Sequence, residues 1–124
     1  MPATARVLLV DDDPSLRAAL KFALELEGFE VEVYASAEEL ERDAVFADSS
    51  CLVVDYRLPG MDGLALLAKL HDRGVTAPAI VITSNPPKKL RQAISNANAV
   101  LVEKPLLCDE LKANILGLLG TANA

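Results

Sequence analysis

Two short apolar runs, Val7 to Val10 and Cys51 to Val54, each end on carboxylates: Asp11, Asp12 and Asp13 after the first, and Asp55 after the second. An apolar run without polar alternation suits a strand buried on both faces, the situation of central strands in a parallel sheet covered by helices. A chain that folds this way releases both sets of carboxylates at one edge, where open α/β sheets bind ligands. Two unit charges about 4 Å apart repel by roughly 4 kcal/mol at an effective dielectric of about 20, so clustered carboxylates require a cation or a proton. A divalent metal ion meets that requirement most simply.

The composition agrees with a helix-covered sheet. Of 124 residues, 52% are hydrophobic but only 4% aromatic, with no Trp, so the core must come from Val, Leu, Ile and Ala. This length allows one domain and one site. A formal charge of -6 disfavours direct nucleic-acid binding, which draws on clustered Lys and Arg. Cys51 and Cys108 form no CxxC pair, so neither a zinc site nor a disulfide framework is expected, and Cys51 reads as a small core residue. No signal pattern opens the chain and no apolar stretch approaches about 18 residues, so the expected compartment is the cytoplasm, without membrane contact.

Strand-type and helix-type segments alternate five times, which implies parallel strands joined by right-handed helical crossovers. After Val7 to Val10, Asp13 is a candidate N-cap with Pro14 at the first helical position; Leu16, Ala19, Leu20 and Ala23 mark the apolar face, and Gly28 the stop. Glu30 to Tyr34 alternates like an edge strand with one wet face, and Ser36 with Glu39 forms a capping-box pattern. Cys51 to Val54 leads through a loop, Tyr56 to Met61, into a helix capped by Asp62 with Leu64, Leu67 and Leu70, ended by Gly74. Ala79 to Thr83 is the fourth strand. Asn85, Pro86 and Pro87 begin a helix with Leu90, Ala93, Ile94 and Ala97 on one face, Lys88, Lys89 and Arg91 forming its solvated start. Val100 to Val102 is the fifth strand, and the last helix carries Leu111, Ile115, Leu118 and Leu119.

Four features thus fall at strand C-termini: the acidic cluster after the first, Asp55 after the third, Thr83 and Ser84 after the fourth, and Lys104 with Pro105 after the fifth. They supply carboxylates for a hard cation, a carboxylate nucleophile, hydroxyl donors and an ammonium, a set suited to a phosphoryl group. No P-loop pattern is present, so nucleotide binding is not supported, and His71 has no second His or Cys near it and reads as a surface residue.

The segments Leu8-Leu9-Val10-Asp11-Asp12-Asp13-Pro14, Val53-Val54-Asp55-Tyr56-Arg57-Leu58-Pro59-Gly60-Met61-Asp62-Gly63, Val81-Ile82-Thr83-Ser84 and Glu103-Lys104-Pro105 resemble the receiver domain of bacterial two-component response regulators. The resemblance runs from Arg6 to about Leu119. It implies a single domain over residues 1–124, with a core of about 6–119. The implied fold is a three-layer (βα)5 doubly wound α/β sandwich whose five-stranded parallel sheet has the order 2-1-3-4-5. By the same resemblance Asp55 is the phosphoacceptor. Asp12, Asp55 and the backbone carbonyl of Arg57 would ligate Mg²⁺, for which Mn²⁺ is a substitute, and Asp11 would hold it through water. Lys104 would be aimed by a cis peptide to Pro105. Thr83 and Ser84 would contact the phosphoryl group.

The implied partners are a sensor histidine kinase or histidine phosphotransferase, and a second copy or an effector on the face of the fourth helix, fifth strand and fifth helix. In this class the domain promotes only its own phosphorylation and dephosphorylation. A metal-dependent phosphohydrolase and a phosphorylation-independent interaction module fit the same carboxylates. Three positions depart from the family: Leu101 and Leu106 stand where aromatic residues are usual, and Asn98 where Gly is common. Without an aromatic ring at position 101, movement of the segment Ser84 to Pro87 is expected to dominate switching.

Overall fold

A computed structural model describes residues 5–46, 50–104 and 108–119, the side chains of residues 108 and 109 excepted. The chain runs β1 (Arg6–Val10), α1 (Pro14–Leu26), β2 (Glu30–Tyr34), α2 (Ala37–Asp43), β3 (Ser50–Asp55), β4 (Arg57–Leu58), β5 (Met61–Asp62), α3 (Gly63–Asp72), β6 (Ala79–Thr83), α4 (Lys88–Asn96), β7 (Val100–Glu103) and α5 (Cys108–Leu119). The main sheet is parallel, in the order β2-β1-β3-β6-β7. Numbered within that sheet alone, this is the expected 2-1-3-4-5. β4 and β5 form a separate antiparallel ladder inside the segment expected to be plain loop, with Gly60 at a φ of 81° in its turn.

Alternating side chains divide the core between the two faces of the sheet. Val7, Leu9, Cys51, Val53, Ile80 and Ile82 pack with Leu20 and Leu24 of α1 and with Leu111 and Ile115 of α5. Leu8, Val10, Leu52 and Val54 pack with Leu40 of α2 and with Leu66 and Leu70 of α3. Burying a Val, Leu or Ile side chain contributes about 1.5–3 kcal/mol, so β1 and β3 are anchored from both sides. Cys51 is fully buried, and burial pushes its thiol up to about 12. His71 is exposed. No helix among the described residues is long and apolar enough to cross a membrane.

The local signals act largely as expected. Asp13 caps α1 by accepting from the Ser15 and Leu16 amides at 2.9 and 3.3 Å, and Asp62 caps α3 by accepting from the Ala65 amide at 2.8 Å. Ser36 accepts from the Glu39 amide at 3.1 Å, but the Glu39 carboxylate accepts from the Ala35 amide rather than from that of Ser36. The buried face of α1 is Leu20 with Leu24, and Ala19 is exposed. On α3 it is Gly63, Leu66 and Leu70, with Leu64 only half-buried.

α4 departs most. It starts at Lys88, because Asn85 takes a left-handed φ of 42° and Pro87 is the cap residue without a side-chain bond. Pro86 is buried below that turn. Asn98 also lies at a positive φ, 58°, where its amide and that of Ala99 close the end of α4 on the Ser95 and Ile94 carbonyls. An asparagine tolerates this left-handed position, which explains how it serves where glycine is common. The Lys104–Pro105 peptide, Leu106, the Cys108 side chain and the tail from Gly120 lie outside the described residues.

Candidate functional site

Parallel register brings the site together. Val10 pairs with Val54, so Asp11 and Asp55 follow side by side at the ends of β1 and β3. Asp55 in turn pairs with Ile82, which puts Thr83 one step farther along β6, and Thr83 pairs with Glu103, which puts Lys104 one step beyond the end of β7. Backbone bonds hold these ends: the Tyr56 amide donates to the Ile82 carbonyl and the Lys104 amide to the Thr83 carbonyl, each at 2.9 Å. The outcome is an open cleft of about 490 Å³ lined by Asp11, Asp12, Asp13, Asp55, Arg57, Thr83, Ser84 and Lys104. Asp11, Asp12, Asp55, Arg57, Thr83, Ser84 and Lys104, the site residues expected from the sequence, all line it.

Asp55 occupies the middle. It is 5% exposed, its Oδ1 accepts from the Arg57 amide at 3.2 Å, and its Oδ2 lies 3.3 Å from the Lys104 ammonium. Asp11 is buried; its Oδ1 accepts from the Asp13 amide at 2.9 Å, while its Oδ2 has no hydrogen-bond partner among the described residues. Burial first, then the charge of Asp55 against the Asp13 amide and Lys104, pushes the Asp11 carboxyl above its ordinary 3.8. Asp12 is exposed at the mouth. Thr83 is buried and Ser84 exposed, so one hydroxyl group sits at the floor and the other at the rim.

Carboxylate oxygens of Asp11, Asp12 and Asp55 lie within 4.8 Å of one another. Three such charges repel one another by several kcal/mol at any realistic dielectric, and a single ammonium offsets only part of that. A buried carboxylate oxygen without a donor is costly unless a cation faces it. The donors are all oxygen, as a hard divalent ion prefers. The residues therefore fit a Mg²⁺-type ion.

Two supporting residues escape a reading of the sequence alone. Arg17 of α1 donates from Nη1 to the Asp11 carbonyl at 2.9 Å and so ties the helix to the acidic loop; the signal was its place four residues after the cap Asp13. Gly63 opens α3 directly against β3. Its amide donates to the Tyr56 carbonyl at 2.7 Å, and a Cβ added there would lie 2.9 Å from the Asp55 carbonyl oxygen and 3.1 Å from Val54 Cγ1. Gly63 thus belongs to the buried face of α3 together with Leu66 and Leu70.

Comparison with known proteins agrees with this geometry. The family model described as response regulator receiver domain matches residues 7–116. The chain is 37% identical over 110 residues to the C4-dicarboxylate transport transcriptional regulatory protein DctD of Pseudomonas aeruginosa, covering 88% of this chain and 24% of that protein. It is 37% identical over 106 residues to the transcriptional regulatory protein FixJ of Azorhizobium caulinodans, covering 85% and 50%. The chain thus spans a quarter to a half of the length of these relatives. Among solved structures, a CheY-like response regulator receiver domain protein from Methanospirillum hungatei superposes with a TM-score of 0.84 at 30% identity, covering 95% of each chain. FixJ-N superposes with a TM-score of 0.83 at 30% identity, covering 98% of this chain and 97% of that one. The chain belongs to the response regulator receiver domain family, the phosphoacceptor modules of two-component signal transduction.

Proposed function

We propose that Asp55 is the phosphoacceptor of a single receiver domain formed by residues 1–124, and that it takes its phosphoryl group from the phosphohistidine of a sensor kinase or phosphotransferase. The observation that supports this most is the setting of Asp55: a nearly buried carboxylate between the Lys104 ammonium and the Arg57 amide, beside two further carboxylates. Receiver domains of response regulators interact with histidine kinases and with effector domains, and both are the partner classes assigned here.

In the transfer, an Asp55 oxygen attacks phosphorus as the bond to the imidazole nitrogen breaks, and the electron pair returns to the ring. Asp12, Asp55 and the Arg57 carbonyl would hold Mg²⁺ directly and Asp11 through water. When bound, the ion supplies positive charge against the carboxylates and the incoming phosphoryl oxygens. Lys104, 3.3 Å from Asp55 Oδ2, would steady a phosphoryl oxygen. Thr83 and Ser84 donate hydrogen bonds to the modified Asp55, drawing the segment after β6 toward the cleft and shifting the population of conformers presented to partners.

Intact-protein mass spectrometry with a small acyl phosphate, with and without Mg²⁺, tests the assignment. A single Mg²⁺-dependent phosphoryl adduct in the wild type, absent in Asp55→Asn, is the expected result. Multiple turnover of the donor without an adduct would indicate a phosphohydrolase instead. Full biological output from Asp55→Asn would indicate a module that works without phosphorylation.

A further inference from the structure

Arg91, one turn into α4, reaches two segments outside its helix. Its Nε donates to the Pro86 carbonyl at 3.2 Å, and its Nη2 pairs with a carboxylate oxygen of Glu103. Both contacts lead back to the cleft. Pro86 belongs to the segment that follows Thr83 and Ser84, while Glu103 pairs in register with Thr83 and immediately precedes Lys104. One guanidinium thus connects the loop after β6 to the end of β7.

We propose that Arg91 is a clamp, a positioning residue that holds the β6–α4 segment in its resting place and against which the phosphoryl switch works. The inference rests on the phosphoacceptor reading of Asp55 and adds the contact that opposes the switch. Pro86 and Pro87 each have a fixed φ, and Asn85 already sits at a left-handed φ of 42°, so the segment has little internal slack. Motion of Ser84 toward a phosphoryl group therefore carries the Pro86 carbonyl with it, away from Arg91.

The planar fork of the guanidinium makes both contacts at once, which a lysine ammonium on one flexible stem does not reproduce. The side chains of Arg91 and Glu103 are 49% and 41% exposed, so the pair is weak and screened by salt. A weak clamp suits a switch, because it biases the resting state without locking it. Leu101, which pairs with Val81 in the adjacent strand, carries no polar group that could take over this task.

Beryllofluoride, a phosphoryl mimic, provides the test on the full chain with saturating Mg²⁺ at low salt. Arg91→Met removes the donors and keeps the aliphatic stem. It should tighten beryllofluoride binding by about two- to fivefold, the range expected for loss of an exposed ion pair, and leave Mg²⁺ affinity unchanged. Without the mimic, its Ser84 and Asn85 amide resonances should move toward their mimic-bound positions. Glu103→Gln, which leaves α4 intact, should act in the same direction, and raising the salt should narrow the gap between wild type and variants. Loss of a merely structural contact would weaken binding, so tightening is the signature of a clamp. Equal or weaker binding by both folded variants would overturn the proposal. A wild type that binds Mg²⁺ but no beryllofluoride would instead overturn the phosphoacceptor reading, and the clamp with it.

Discussion

β3 lines the cleft through Asp55, α4 follows the Thr83–Ser84 segment that also lines it, and the two elements are anchored very differently. All six residues of β3 are buried, whereas α4 buries only Ile94 of its nine. The strand carries Asp55, the acceptor in the proposed transfer, whose oxygen would have to meet a phosphorus atom along a narrow line of attack. The helix follows the Thr83–Ser84 segment, which in the same proposal moves once that bond has formed. Packing over-determines the backbone at the proposed acceptor, and few buried contacts would oppose movement at the helix.

Truncations on the two elements should separate them most widely. Leu52→Ala, at a fully packed position of β3, is expected to cost about 2–5 kcal/mol in urea unfolding. Leu90→Ala on half-buried α4 should cost about 1 kcal/mol or less. Comparable losses would remove the contrast. Gly63→Ala sharpens it from another side, since the new methyl group must push on the Asp55 backbone. A cost of about 1–3 kcal/mol is expected, together with slower phosphorylation by a small donor. Unchanged stability and rate would show that the β3–α3 contact has room to spare.

The charges of the rigid edge give the next largest effect. Because Asp11 has its carboxyl raised in the native state, the stability linked to it is present below its ordinary 3.8 and lost as pH rises through the raised value. Metal-free Asp11→Asn should therefore melt a few degrees above wild type at neutral pH, and the gap should close on acidification toward that ordinary value. Saturating Mg²⁺ should stabilise the wild type far more than the variant. Melting curves that coincide at neutral pH, with no response to Mg²⁺, would contradict the crowding argument. The smallest effect concerns Arg57, whose exposed side chain stands at the cleft. We expect it to shield the acyl phosphate from water, so that Arg57→Ala loses its phosphoryl group about two- to fivefold faster; a half-life equal to wild type would rule this out.

The rigid part of the molecule was also the more legible in the sequence. Val7 to Val10 and Cys51 to Val54 announce buried strands without help from context, and the caps Asp13 and Asp62 act within a single turn. Strand order and register then deliver Asp11, Asp55, Thr83 and Lys104 to one edge. Illegible features depend on contacts between distant segments. The β4–β5 ladder is two residues long on each side, too short to show periodicity. The close approach of Gly63 to the Asp55 backbone depends on β3 and α3 meeting, and the start of α4 on the left-handed turn at Asn85. Arg91 reads as a solvated lysine-like charge until Glu103 is brought beside it.

Amide hydrogen exchange with Mg²⁺, in the presence and absence of beryllofluoride, tests the proposed division between a rigid acceptor strand and a mobile α4 segment most directly. β1 and β3 should exchange only by global unfolding in both states, while protection changes concentrate from Ser84 through Arg91 and along β7. Exchange from β3 as fast as from α4, or a response confined to β1 and α1, would contradict it.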